Sequence, residues 1–203
     1  LRPRVLVSGS AAIYAPSAQP ITESSPLAPA SPYATSKLAQ EMLAAQAWYE
    51  QGIPVVLARS FNHVGPRQTP SYVAPSIARQ VALIEAGRID PVLRVGNLDS
   101  RRDITDVRDT VRAYRALAER GTPGQAYNVC SGQAHTMRHL LDGLLGLARV
   151  RVTVVPDPGR FRPNDTPLLL GDPSRIRRDV GWQPLISIEQ TLCALLDYWR
   201  QTV

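Results

Sequence analysis

In the stretch Ser31-Pro-Tyr-Ala-Thr-Ser-Lys37, a phenol and an ammonium four residues apart share one face of any helix that begins there. A free tyrosine ionises near pH 10 and is a poor proton carrier at neutrality, but a fixed positive charge beside it favours the phenolate. Such a pair could donate or accept a proton at pH 7. The same spacing occurs on many solvated helices, where it does nothing beyond mild packing. Composition sets this pair apart. Lys37 is the sole lysine of a chain whose Lys and Arg together number 23. A guanidinium cannot replace a compact ammonium held against a phenol, whereas on a solvated surface the two are nearly exchangeable.

The elements that must position this pair are legible around it. Ser31 can cap a helix, Pro32 suits its first turn and Gly52 its end, so the helix carries both side chains. Arg4-Val-Leu-Val-Ser8 predicts a buried parallel strand with Ser10 just past its tip, and Ala15 to Pro32 a surface loop. Pro54 to Arg59 predicts the next strand, opening into a polar loop Ser60-Phe-Asn-His-Val-Gly-Pro66 at a carboxyl edge, where open parallel sheets bind ligands. Further on come a helix over 71–86, a strand over 92–95, a polar loop over 96–102 and a helix over 106–119. A strand over 126–130, a helix over 136–148, a strand over 151–155, a short helix opened by Gly171-Asp-Pro-Ser174 and a last helix with a Ser187/Gln190 capping box complete the chain. Alternating strands and helices make the class α/β.

The 203 residues suit one domain, and the net charge of +6 implies an anionic ligand. The arginines are scattered and aromatics few, which favours a local anion site over nucleic acid. Cys130 and Cys193 lack partners at metal-ligand spacing and read as apolar residues of a reducing compartment. His135 and His139 lie one turn apart without a third ligand, so no metal is expected. No apolar run reaches membrane-span length and no signal peptide is evident, so a cytoplasmic chain is expected.

Ser8-Gly-Ser-Ala-Ala-Ile-Tyr14, Tyr33 with Lys37, Arg59 to Pro66, Arg101-Arg-Asp103 with Asp106 and Asp109, Arg162-Pro-Asn-Asp165 and Gly181-Trp-Gln-Pro184 follow one another in a telling order. That ordered set resembles the extended short-chain dehydrogenase/reductase family of nucleotide-sugar epimerases, dehydratases and reductases. The resemblance implies that Tyr33 is the general acid–base, that Lys37 tunes it and holds the nicotinamide ribose, and that Ser10 hydrogen-bonds the reacting oxygen. It also implies that Ser60 and His63 contact an NAD(P)H cofactor. Asn62 and Arg102 would hold a substrate diphosphate, and Arg162 and Asp165 the nucleotide ribose. Tyr72 to Gln80, Pro91 to Leu98 and Tyr127 to Gly132 look most like the family's GDP-4-keto-6-deoxy-mannose reductases, implying a GDP-linked substrate and NAD(P)H-dependent reduction of a C4 ketone. The alternatives are a 4-epimerase, a relative of the 4,6-dehydratases, or a catalytically silent sugar-nucleotide binding module. Dehydratases of the family carry acidic residues just after the serine, where this chain has Ala11 and Ala12.

A dinucleotide-binding fold opens with a glycine-rich strand-to-helix turn, and no such fingerprint is present. The expectation is therefore the C-terminal part of a Rossmann-type parallel sheet with a small α/β substrate-binding portion. Residues 1–68 would complete the NAD(P)-binding domain, and 69–203 would mainly bind the nucleotide sugar, with about 88–130 returning to the sheet. The full-length protein would be a homodimer. Expressed alone, the 203 residues are expected to bind no NAD(P), which titration with NADPH followed by fluorescence quenching checks.

Overall fold

The computed structural model describes residues 3–161 and 166–203. Its elements are β1 (Val5–Ser10), α1 (Pro32–Gln51), β2 (Val55–Ser60), β3 (Asn62–Val64), α2 (Val73–Glu85), β4 (Val92–Val95), β5 (Arg101–Asp106) and α3 (Val107–Arg120). After these come β6 (Ala126–Val129), β7 (Ala134–Thr136), α4 (Met137–Gly146), β8 (Thr153–Pro156), β9 (Leu168–Leu169), α5 (Ser174–Val180) and α6 (Ile188–Thr202). The chain forms two compact units. The first comprises residues 1–63, 103–133 and 169–185, the second 64–102, 134–168 and 186–203.

The first unit is built on a parallel sheet of order β1-β2-β6. All six residues of β2 are buried, as a central strand covered on both faces requires. α1 and α3 pack on β1 and β2, and α5 packs on β6. Val56, Ala58, Tyr127 and Val129 of the sheet meet Ala113, Ala116 and Leu117 of α3 and Ile176 and Val180 of α5 in one apolar cluster. Helix starts follow capping chemistry. Ser31 Oγ accepts from the Ala34 amide at 3.1 Å and Asp106 Oδ1 from the Arg108 amide at 2.8 Å, and Gly52 ends α1 at φ +64°. Gly124, at φ +80°, donates its amide to the Val55 carbonyl at 2.7 Å; a Cβ there would lie 2.4 Å from Trp48 Nε1.

The second unit packs α2, α4 and α6 together, with α2 against β4, which pairs in parallel with β8. Leu140, Leu141 and Leu144 of α4 and Leu192, Leu195 and Leu196 of α6 are fully buried. Glu85 at the end of α2 accepts from Arg200 Nε and Nη2 at 2.7 and 2.8 Å and from the Arg149 amide at 2.9 Å. Arg200 also donates to the Leu147 carbonyl, so one guanidinium holds the ends of α2 and α4 to α6.

Three stretches depart from their expected form. β1 runs two residues further than its apolar core, so that Ser10 is its last residue rather than a position beyond it. Part of the polar run at 96–102, with the residues after it, forms β5, and part of the 60–66 loop forms β3. The charges of Arg101-Arg-Asp103 disguise a strand whose last four residues are buried.

Two stability outcomes follow from these contacts. Gly124→Ala meets both a disfavoured φ and the Trp48 ring, and is expected to cost about 1–3 kcal/mol in denaturant unfolding. Hydrogen bonds from Arg200 hold the Glu85 carboxyl below its usual range. A depressed folded-state value contributes stability above the unfolded carboxyl's range, and loses it as pH falls through the folded one. Glu85→Gln is therefore expected to lose roughly 1–3 kcal/mol at pH 7 and to flatten the fall in melting temperature between neutrality and acid.

Candidate active site

β1 and β2 run parallel in a register that pairs Ser10 with Ser60, so both hydroxyls stand at the carboxyl edge of the first unit's sheet. Ser10 Oγ accepts from the Ala12 amide at 3.2 Å and caps a single 3₁₀ turn, Ala11–Ile13. The tip of β1 is thereby fixed, and no carboxylate occupies the two positions after Ser10. Ser60 Oγ shares a 2.6 Å hydrogen bond with the Tyr114 hydroxyl of α3.

Lys37 is half-buried, and its Nζ donates to the Ser8 carbonyl at 2.9 Å and to Gln40 Oε1 at 3.2 Å. The sole lysine is thus anchored to β1 two residues before Ser10. Tyr33 lies one turn nearer the start of α1 on the same face and is 57% exposed. Among the described residues, two of the three Nζ protons are engaged, which leaves a donor suited to a sugar hydroxyl.

Below this edge lies a buried polar cluster that sequence reasoning did not find. Arg59 of β2 donates from Nε to Glu41 Oε2 of α1 at 3.0 Å, from Nη2 to Glu41 Oε1, and from Nη1 to the Tyr14 hydroxyl at 2.8 Å and the Glu23 carbonyl at 2.9 Å. Tyr14 in turn donates to Asn128 Oδ1 at 2.7 Å, while Asn128 Nδ2 donates to the Ile21 carbonyl. Burial pushes the Tyr14 phenol up to about 12, against the opposing pull of Arg59. Tyr14 is therefore a fixed neutral donor, unsuited to carrying protons at neutrality. The continued four-residue spacing from Tyr33 through Lys37 to Glu41 was the available signal, but that spacing alone fits an ordinary surface ion pair equally well.

Asn62 and His63 fall on β3. Asn62 is exposed and its carbonyl accepts from Thr105 Oγ1 at 3.5 Å, while His63 is half-buried with Nδ1 3.3 Å from the Phe61 carbonyl. Arg102, at the start of β5 and half-buried, donates from Nη1 to the Arg101 carbonyl. Arg162 and Asp165 lie outside the described residues. Asp103 is fully buried and accepts from the Ser131 amide and hydroxyl, both at 2.7 Å, the Gly132 amide at 2.9 Å and the Gly171 amide at 3.3 Å. Burial raises its pKa against the pull of those donors. Asp103 thereby fixes the turn after β6 to the segment before α5.

The chain matches the GDP-mannose 4,6 dehydratase family over residues 2–195. The chain belongs to that family. It is one branch of the extended short-chain dehydrogenase/reductases that the motif order resembled. The chain is 41% identical to the GDP-6-deoxy-D-mannose reductase of Pseudomonas aeruginosa, covering 93% of this chain and 62% of that protein. It is 29% identical to GDP-mannose 4,6 dehydratase 1 of Arabidopsis thaliana over 94% of this chain and 53% of that one. The structure of RMD from Pseudomonas aeruginosa complexed with NADPH superposes with a TM-score of 0.93 at 39% identity, over 98% of this chain and 67% of that one. A UDP-glucose 4-epimerase of Thermus thermophilus in complex with NAD gives a TM-score of 0.84 at 27% identity, over 99% and 65%. The chain therefore spans about three-fifths or less of its curated relatives' length.

Asp103→Asn turns a carboxyl oxygen that accepts hydrogen bonds into an amide that donates toward backbone N–H groups. A loss of about 1–3 kcal/mol is expected in denaturant unfolding.

Proposed function

We propose that this family member reduces the C4 ketone of a GDP-linked 6-deoxy-4-keto-sugar with NAD(P)H. The carrying observation is the seat of Lys37 on the Ser8 carbonyl, which puts the Tyr33 and Lys37 face of α1 beside the strand that ends in Ser10. The 41% identity to a GDP-6-deoxy-D-mannose reductase supports the substrate class.

The donor chemistry fits a nicotinamide cofactor, because Lys37 keeps an N–H for a ribose hydroxyl and Ser60 and His63 offer polar atoms. NAD(P)H, when bound, supplies the hydride. Ser10 hydrogen-bonds the carbonyl oxygen and stabilises charge as it develops there. Tyr33 gives that oxygen its proton, Lys37 stabilises the phenolate left behind, and solvent, to which Tyr33 is open, returns the proton. Asn62, Arg102, Arg162 and Asp165 are assigned to the diphosphate and nucleotide ribose, since paired N–H donors suit a diphosphate.

Dehydration, the activity in the family's name, is disfavoured at one place. Ala11 is 2% exposed and Ala12 carries no acid, so the turn after Ser10 offers nothing to expel water from the sugar. Epimerisation would use the same Ser10, Tyr33 and Lys37 and return the hydride to the sugar.

In the enzyme made from its complete reading frame, Tyr33→Phe is expected to lower kcat by about 10²–10⁴ with KM little changed. Stoichiometric consumption of NADPH on a GDP-4-keto-6-deoxy-sugar checks the reaction class. Turnover without net NADPH loss would establish epimerisation instead.

A further inference from the structure

α1 is an unusual carrier for a residue that must be held in place. Of its twenty residues only Ala34 and Glu41 are fully buried, while Met42, Leu43 and Tyr49 are 65%, 67% and 78% exposed. Leu38 and Trp48 of α1 are half-buried, Leu38 against the apolar cluster of Ala11, Ile13, Tyr14, Ile21, Phe61 and Cys130, but apolar contact is non-directional. Two polar contacts add a directional constraint. Lys37 is tied to the Ser8 carbonyl of β1, and Glu41 is tied through two oxygens to the Arg59 guanidinium of β2.

Arg59 is itself immobilised. Its other nitrogen reaches the Tyr14 hydroxyl and the Glu23 carbonyl, and Tyr14 is held by Asn128 of β6. Glu41 is thus joined to β2 directly and to Asn128 of β6 through Arg59 and Tyr14. Tyr33, Lys37 and Glu41 recur every four residues along one stripe. A straight helix places Tyr33 about 12 Å along the axis from Glu41. Two fixed points on a rigid rod determine the third.

We infer that Glu41 is a positioning residue: with Arg59 it sets the height and rotation of α1, and so the place of the Tyr33 phenol relative to Ser10. Glu41 touches no reacting atom. It acts through Tyr33, so this inference rests on the acid–base assignment of that residue.

Glu41→Asp is the decisive variant, because it keeps the charge and the ion pair but shortens the arm by one methylene. A merely structural ion pair tolerates that change with near-normal turnover. A positioning role predicts a kcat lowered about 10- to 100-fold, with KM for NADPH and sugar nucleotide within about threefold, since displacements near 1 Å are costly to proton transfer. The double variant Glu41→Met with Arg59→Met separates the two roles a second way, because replacing both charges of a buried pair often preserves stability. Cooperative melting with kcat still depressed supports positioning. Wild-type kcat in either variant overturns it. Tyr33→Phe, measured in parallel, keeps the failures apart: if it is fully active, the acid–base assignment is wrong and the positioning role falls with it. If it is inactive while Glu41→Asp is fully active, only the positioning role is lost.

Discussion

The guanidinium of Arg59 is enclosed by a carboxylate from α1, a phenol from the segment after β1 and a carbonyl from the loop between them. A charge so placed has lost its water, and only this set of partners makes that tolerable. Both side chains of the pair are about nine-tenths buried. Removing either partner of such a pair costs about 3–5 kcal/mol, chiefly because the survivor is stranded. The cluster is also cooperative in origin. Glu23 both accepts from the Asn128 amide and faces Arg175 of α5 at 3.5 Å, so the loop from Tyr14 to Glu23 is stitched to β2, β6 and α5 at once. That loop would otherwise be a long proline- and serine-rich excursion with little apolar content. Polar bonds, together with Tyr14 and Ile21 in the apolar cluster with Phe61 and Cys130, hold it to the sheet.

The arginines elsewhere act in the same way, which changes what the net charge of +6 means. Arg4 donates to the Glu119 carbonyl, Arg112 to Gln183, Arg120 to Val180, Arg175 to Ala126, Arg177 to Ser131 and Arg200 to Leu147. Most of these carbonyls lie at helix ends or in turns, where the backbone lacks intrahelical donors. A planar, five-donor head on a long stem suits that task better than an ammonium. Reading the basic composition as a field for anions counts every charge as available. Much of it is committed to the fold, and the arginine-for-lysine preference follows from geometry as much as from ligand binding. The one lysine stands where a compact ammonium meets a strand carbonyl beside a phenol.

What could be read beforehand follows from which signals are local. The caps of α1, α3 and α6 were legible because Ser31, Asp106 and the Ser187/Gln190 pair act within one turn. The strands β1, β2 and β6 were legible as short apolar runs. β5 was not, because its buried face carries Asp103, a residue that strand patterns treat as a break. Its carboxylate is satisfied by donors from residues 131, 132 and 171, and no window of sequence contains them all. Glu41 escaped notice for a related reason. Its partner is eighteen residues away on another element, whereas a cation four residues before it invited the local pairing. Motif order carries the family resemblance, whereas the contacts that support Arg59 and Asp103 are non-local by construction.

Two phenols of the first unit differ in environment, and the proposed assignment of the proton carrier to Tyr33 follows that difference. Tyr14 and Tyr33 belong to the same unit and flank the same strand tip in sequence. Tyr14 is 5% exposed, accepts from a guanidinium and donates to an amide oxygen, so both roles of its hydroxyl are filled and burial holds its proton. Transferring that proton would place a new charge in a site already arranged around Arg59 and Glu41, and would break the bond to Asn128. Tyr33 has the opposite situation: it is exposed, sits at the start of α1 and lies one turn from the ammonium. The immobile phenol belongs to the scaffold, and the proposed reaction falls to the exposed one.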